Sequence, residues 1–135
     1  MAIILDGDIG VTAADVAATT LSINAGYGSN AAAYGVRAWV NFDGTGTVAI
    51  RESGNVSSIT DNGTGNYTIN FATALVDSSY TVCGSTMRGV TNTDNNLFLP
   101  LNGTYTTAAC QVMAAASSSS GLLLDCVIVN VNIFR

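Results

Sequence analysis

The sequence contains no histidine and no lysine, and only one glutamate (Glu52) and one proline (Pro100). General acid–base catalysis near neutral pH draws mostly on histidine, and otherwise on carboxyl, lysine, tyrosine or cysteine groups with displaced pKa values. A serine nucleophile here has neither histidine nor lysine to activate it, and no G-x-S-x-G elbow occurs. A phosphate loop of the Walker type is excluded because its lysine is missing. The three cysteines, Cys83, Cys110 and Cys126, form no C-x-x-C pair. With no histidine to complete a ligand set, a Cys–His zinc site is ruled out. An odd number of cysteines with small or apolar neighbours predicts buried free thiols rather than a disulfide framework.

Charge is also scarce. Charged residues make up 10% of the chain and the net charge is −5, against about 25% charged residues in an ordinary soluble domain. Arg37, Arg51, Arg88 and Arg135 are scattered, so no basic patch is available for a nucleic-acid backbone. No run approaches 18 consecutive apolar residues, and no membrane insertion is expected. The opening "MAIILDGDIG" has no basic region, and its apolar run is too short for a signal peptide. The four N-x-S/T sequons, at Asn55, Asn62, Asn66 and Asn102, reflect an Asn/Thr-rich composition.

Apolar residues are plentiful, at 48% of 135, enough for the core of one domain. The polar surface must then come from Asn, Thr, Ser and Gly. Such a surface can be buried against another subunit at little desolvation cost, because few charges lose their water. The composition therefore predicts an oligomer.

Two stretches give the architecture. "NFDGTGTVAI" (41–50) and "TDNGTGNYTI" (60–69) place Asp-Gly-Thr-Gly and Asn-Gly-Thr-Gly between β-rich runs. Neither has the third glycine and helix start of a dinucleotide fingerprint. Asp-Gly and Asn-Gly favour the positive φ of tight hairpins, so both stretches read as hairpin turns.

Period-two alternation surrounds them. In "VRAWVNF", Val36, Ala38, Val40 and Phe42 share one face, and Arg37, Trp39 and Asn41 the other. "NYTINF" aligns Tyr67, Ile69 and Phe71, and "SSYTVCG" turns Tyr80 and Val82 inward. The polar stretch 85–96 reads as a long loop or loose edge hairpin. Pro100 makes "LFLPL" an edge strand or strand end. "TAACQVMAA" (107–115) is ambiguous between strand and helix. "LLLDCVIVNVNIF" is a central strand with Val127, Val129, Val131 and Ile133 on one face. Its other face carries Cys126, Ile128, Asn130, Asn132 and Phe134.

Seven or eight short strands with such turns predict an all-β fold: an antiparallel β-sandwich or jelly-roll-like domain over 36–135. Residues 1–35 form a separate lead, small and glycine-punctuated, with a short strand at "AIIL" and a marginal helix over Ala13–Leu21. The lead is expected to serve as an extended docking segment.

The remaining chemistry is thin. Asp6 and Asp8 alternate in "DGD", which invites calcium but lacks the EF-hand pattern. Asp6 with Asp8, which share a face if that segment is extended, or Asp43 with Asp61 could form a glycosidase pair, yet Asp43 and Asp61 each open a turn that the side chain can cap. No catalytic residue, cofactor or metal is expected, and the chain is read as a non-enzyme. Trp39, outward-facing on its strand, can pack on a partner subunit or stack on a sugar; the weakly charged surface favours the partner.

The stretch "VRAWVNFDGTGTVAIRESGNVSSITDNGTGNYTINFATALVDSSYTV" (36–82) and the ending "VNVNIFR" (129–135) resemble a domain of tailed-bacteriophage virion proteins. They are especially similar to the distal, C-terminal tail-fibre domain of cyanophages and marine phages. The resemblance implies a structural protein of the virion and a homotrimer, and it implies no catalytic residue. On a virion, residues 1–35, which have little means of folding alone, are expected to dock on other virion proteins, with Ile3, Ile4 and Leu5 as the apolar anchor. No fixed motif is recognised over 85–124. A region of that kind at a fibre tip is where a receptor, a host-surface glycan or a neighbouring protein would be met. Thr91, Asn92, Asp94, Asn95 and Asn96, with Trp39, are the candidate contacts. A lead of only about 35 residues also fits a second reading, a capsid decoration or cement protein on the phage head. A glycan-active enzyme is the third.

Overall fold

A computed structural model describes residues 22–23, 31–32, 35–89, 96–101, 104–116 and 122–135. The chain divides into two units, Met1–Ala33 and Tyr34–Arg135. In the first, β1 (Ser22–Ile23) and β2 (Ala31–Ala32) form a short antiparallel ladder. The expected strand at "AIIL" and helix over Ala13–Leu21 lie outside the described residues.

The second unit is all-β, with no helix among its described residues. Its strands are β3 (Val36–Asp43), β4 (Ala49–Gly54), β5 (Val56–Asp61), β6 (Asn66–Phe71), β7 (Thr81–Met87), β8 (Asn96–Pro100), β9 (Ala109–Ala116) and β10 (Ile128–Phe134). They make two antiparallel four-stranded sheets, ordered β4-β3-β10-β7 and β5-β6-β9-β8. One face of each enters a shared core: Ala38, Val40, Phe42, Val82, Val129, Val131 and Ile133 from the first, and Tyr67, Ile69, Phe71, Cys110, Val112 and Ala114 from the second. This is the β-sandwich that the alternation predicts. The valine-rich β10 is an interior strand, and β8 with Pro100 is an edge, where a missing N–H leaves no ladder bond unmade. The ambiguous stretch around 107–115 is strand β9; its apolar residues fall on alternate positions against β6.

Chain continuity between the sheets runs through Asn55, which has a φ of 56°. Asparagine tolerates this left-handed conformation better than most residues. Its Nδ2 donates to the carbonyls of Arg37 and Thr73, each at 3.1 Å, and its Oδ1 accepts from Thr73 N–H at 2.8 Å. β4 thus passes directly into β5 in the opposite sheet.

The structure corrects the sequence reading at five points. The 85–96 stretch is neither all loop nor an edge hairpin, since β7 continues to Met87 in one sheet and β8 opens at Asn96 in the other. Val36 does not join the core: a register shift pairs it with Phe134, leaving it 45% exposed. Cys126 is buried, not outward, because β10 starts only at Ile128 and the alternation does not extend back through Val127. Cys83 is exposed on β7, unlike Cys110 and Cys126. The positive φ angles of the two turns fall on Gly46, Gly63 and Gly65, not on Gly44.

Gly44 is required for another reason. It lies against the Tyr67 ring, and a Cβ there would sit 2.7 Å from Tyr67 Cζ. Gly65 combines both demands: its φ is +62°, and a Cβ would come within 2.5 Å of the Ala114 carbonyl and 2.6 Å of Leu124 N. Gly46 has open space around it. Gly46→Ala should therefore cost about 1 kcal/mol, the left-handed penalty alone. Gly65→Ala should cost roughly 3 kcal/mol or more, since backbone must also move. Urea denaturation of the two variants checks this; equal losses would contradict it.

Candidate functional site

The sequence-predicted residues separate into two groups. Ile3, Ile4 and Leu5, and Thr91, Asn92, Asp94 and Asn95, lie outside the described residues. Asn96 opens β8 opposite Ala116. Trp39 is described fully, and the neighbourhood built around it is the candidate site.

The turn aspartates are engaged locally. Asp43 Oδ1 accepts from Thr45 N–H at 3.0 Å and from its hydroxyl at 2.7 Å, while Oδ2 meets Arg51 at 2.8 Å. Asp61 accepts from Gly63 N–H at 2.9 Å, and Asp77 from Ser79 N–H at 2.8 Å. For Asp43 and Asp61 these are the Asx turns that the sequence suggests, and Asp77 adds a third that it does not. The Thr45 hydroxyl and N–H, then Arg51, hold Asp43 below the usual carboxylate range, and Arg135 and Ser79 do the same for Asp77. Among the described residues no three His, Cys, Asp or Glu side chains come together as a metal site.

Sequence reasoning missed Asp125. Its Oδ1 accepts from Gly65 N–H at 2.7 Å and lies 3.0 Å from the Tyr67 hydroxyl, which is also 3.1 Å from the Gly44 carbonyl. Gly44 N–H in turn donates to the Cys126 carbonyl at 2.9 Å. One carboxylate and one phenol thus join both glycine turns to the segment before β10. Sequence separations of 58 and 60 residues hide this from any local pattern.

The outer face of the β4-β3-β10-β7 sheet carries the candidate site. Trp39 lies between Gly54 on β4 and Asn132 on β10, with Cys83 beyond on β7. The indole rests on Gly54, where a Cβ would meet Trp39 Cδ1 at 2.9 Å; Trp39 remains 38% exposed. Towards one end of the sheet lie Val36 and Phe134, both exposed. Towards the other, Asn41 Nδ2 donates to Asn130 Oδ1 at 2.6 Å, and Asn130 Nδ2 donates to Ser85 Oγ at 3.2 Å.

The opposite sheet shows the same chemistry without an aromatic. Asn70 Nδ2 donates to Ser58 and Thr60, Gln111 Nε2 to Asn66, and Asn62 Nδ2 to Thr68. At the Val36 end of the first sheet, an open recess of about 400 Å³ is lined by Arg37, Asn55, Ala74, Leu75, Val76 and Arg135. Arg135 is ion-paired with Asp77 there.

This arrangement can bury aromatic area and exchange amide hydrogen bonds. Comparison with protein-family models, with curated proteins and with solved structures finds no match.

The titratable groups in the interior give a pH dependence. Burial pushes the Cys110 thiol up to about 12. Burial, and for Tyr67 also Asp125, raises the Tyr67 and Tyr80 phenols well above their ordinary value of 10. A raised folded-state value means that the unfolded chain releases its proton first, so stability is intact below the unfolded value and falls above it. The urea midpoint should therefore hold between pH 6 and 8 and drop steadily above about pH 9 to 10. A midpoint unchanged at pH 10.5 would contradict the buried placement of these groups.

Proposed function

We propose that this chain is a structural subunit of a tailed-phage particle. In this reading the sandwich is a rigid body that assembles with copies of itself, as a trimer, and residues 1–35 dock it onto other virion proteins. Thr91, Asn92, Asp94, Asn95 and Asn96 are then the residues that meet a host-surface glycan or receptor, and its place is the virion.

One observation carries the self-assembly: the outer face of the β4-β3-β10-β7 sheet sets Asn41, Asn130 and Ser85, hydrogen-bonded to one another, beside the exposed Trp39, with few charges among them. Burying polar groups already paired with protein costs far less than stripping water from ions. The resemblance over 36–82 and 129–135 supports the phage assignment and the three-fold state. The engagement of Asp43, Asp61 and Asp77 in turns supports a non-enzymatic role, because each leaves its carboxylate capping backbone rather than facing a second acid across a cleft.

Light scattering on the full chain at micromolar concentration should give the mass of three 13.8 kDa chains. A stable particle of one chain would contradict the self-assembly. Mass spectrometry of purified particles of the encoding phage should recover the chain as a virion component, and its absence would contradict the placement.

A further inference from the structure

We infer that the face centred on Trp39 is where one copy of this chain meets a second copy, with Arg37 of one facing Glu52 of the next. This rests on the self-assembly proposed above and adds the surface and its pairing.

Three observations converge on this face. First, large exposed apolar side chains gather there. Val36 is paired directly with Phe134, and Trp39 lies beside Asn132 on the same strand pair; their exposures are 45%, 37% and 38%. The outer face of the opposite sheet has Leu99 at 36% as its exposed large apolar residue among those described. Buried centres of protein interfaces are rich in aromatic residues and arginine and poor in other charges.

Second, the tryptophan is seated in advance. Gly54 offers no side chain, so the indole lies against β4. A ring already held needs little further ordering when a partner covers it.

Third, the charges are self-complementary. A chain of net charge −5 repels its own copies unless they meet where acids are few or matched. The ion pairs of the described residues include Asp43 with Arg51 and Asp77 with Arg135. Arg37 and Glu52 belong to neither. Arg37 uses its Nε on the Arg135 carbonyl at 3.1 Å, which leaves its terminal amino groups for a partner. Glu52 pairs in register with Asn41, two residues beyond Trp39, whereas Arg37 lies two residues before it. The two charges are thus separated by about 13 Å along the strand and one strand spacing of about 4.8 Å, on opposite sides of the tryptophan. In a cyclic arrangement with Trp39 towards the axis, each Arg37 can face the next copy's Glu52, and no like charges meet.

Trp39 is the only tryptophan, so its emission reports on this face alone. In the assembled full chain, acrylamide should quench it weakly, and dilution through dissociation should raise the quenching severalfold. Asn132→Arg puts an unpaired charge at the centre of the face and should weaken assembly about a hundredfold. Ser58→Arg, on the other sheet, should leave the mass unchanged. Arg37→Glu and Glu52→Arg, both at exposed positions, should each weaken assembly, and the two together in one chain should restore it.

An assembled wild-type chain whose Trp39 is freely quenched, or an assembled Asn132→Arg variant of wild-type affinity, overturns the proposed face while leaving self-assembly standing. Failure of the double reversal to restore what each single reversal loses overturns the pairing. A wild-type chain that stays monomeric overturns self-assembly itself, and the face with it.

Discussion

The hydroxyl of Tyr67, held between Asp125 and the Gly44 carbonyl, ties the two sheets together at the end where both glycine turns lie. Tyr67 is fully buried, and its ring meets Phe42 edge-on at 5.0 Å, so the same residue contributes to the apolar core and closes a polar network. Each partner depends on the other. Without Gly44 the ring could not approach the first turn, and without Asp125 the N–H of Gly65 would lose its acceptor. Burying such groups is tolerable only when they are mutually satisfied. The turns are therefore parts of the core's boundary rather than free loops.

That boundary explains how the chain manages with so few charges. Aspartates that would ordinarily solvate a surface are used to shape turns at Asp43, Asp61 and Asp77, while amides and hydroxyls cover the sheets. A surface of this kind has few charges to strip of water when it is buried. Around Trp39, with Val36 and Phe134, exposed apolar area gathers among the amides of a sheet face, and there the charges flank the aromatic in opposite signs. Low charge and a seated aromatic suit a building block, and together with the resemblance they support the proposed virion role.

Much of the fold was legible because alternation is a local property. Val40, Phe42, Tyr67, Ile69, Val129, Val131 and Ile133 all point inward as period two requires, and the outward direction of Trp39 follows from the same rule. What failed was where the rule stops. The register shift at the start of β3 exposes Val36, and the bend at Val127 sends Cys126 inward; neither is written in the residues concerned. Gly44 looked like a positive-φ glycine, but its role depends on an aromatic ring 23 residues away. The neighbours of Trp39 were equally hidden, since Asn132 and Phe134 reach it only through pairing of β3 with β10, at the far end of the domain.

Amide hydrogen exchange of the native chain tests the central claim most directly. The account predicts that the amides of Gly44 and Gly65 exchange as slowly as those of β10, through global unfolding alone, because their acceptors, the Cys126 carbonyl and the Asp125 carboxylate, belong to the core's boundary. Exchange at both glycines orders of magnitude faster than at Val131 would show that the turns open independently, and would contradict it.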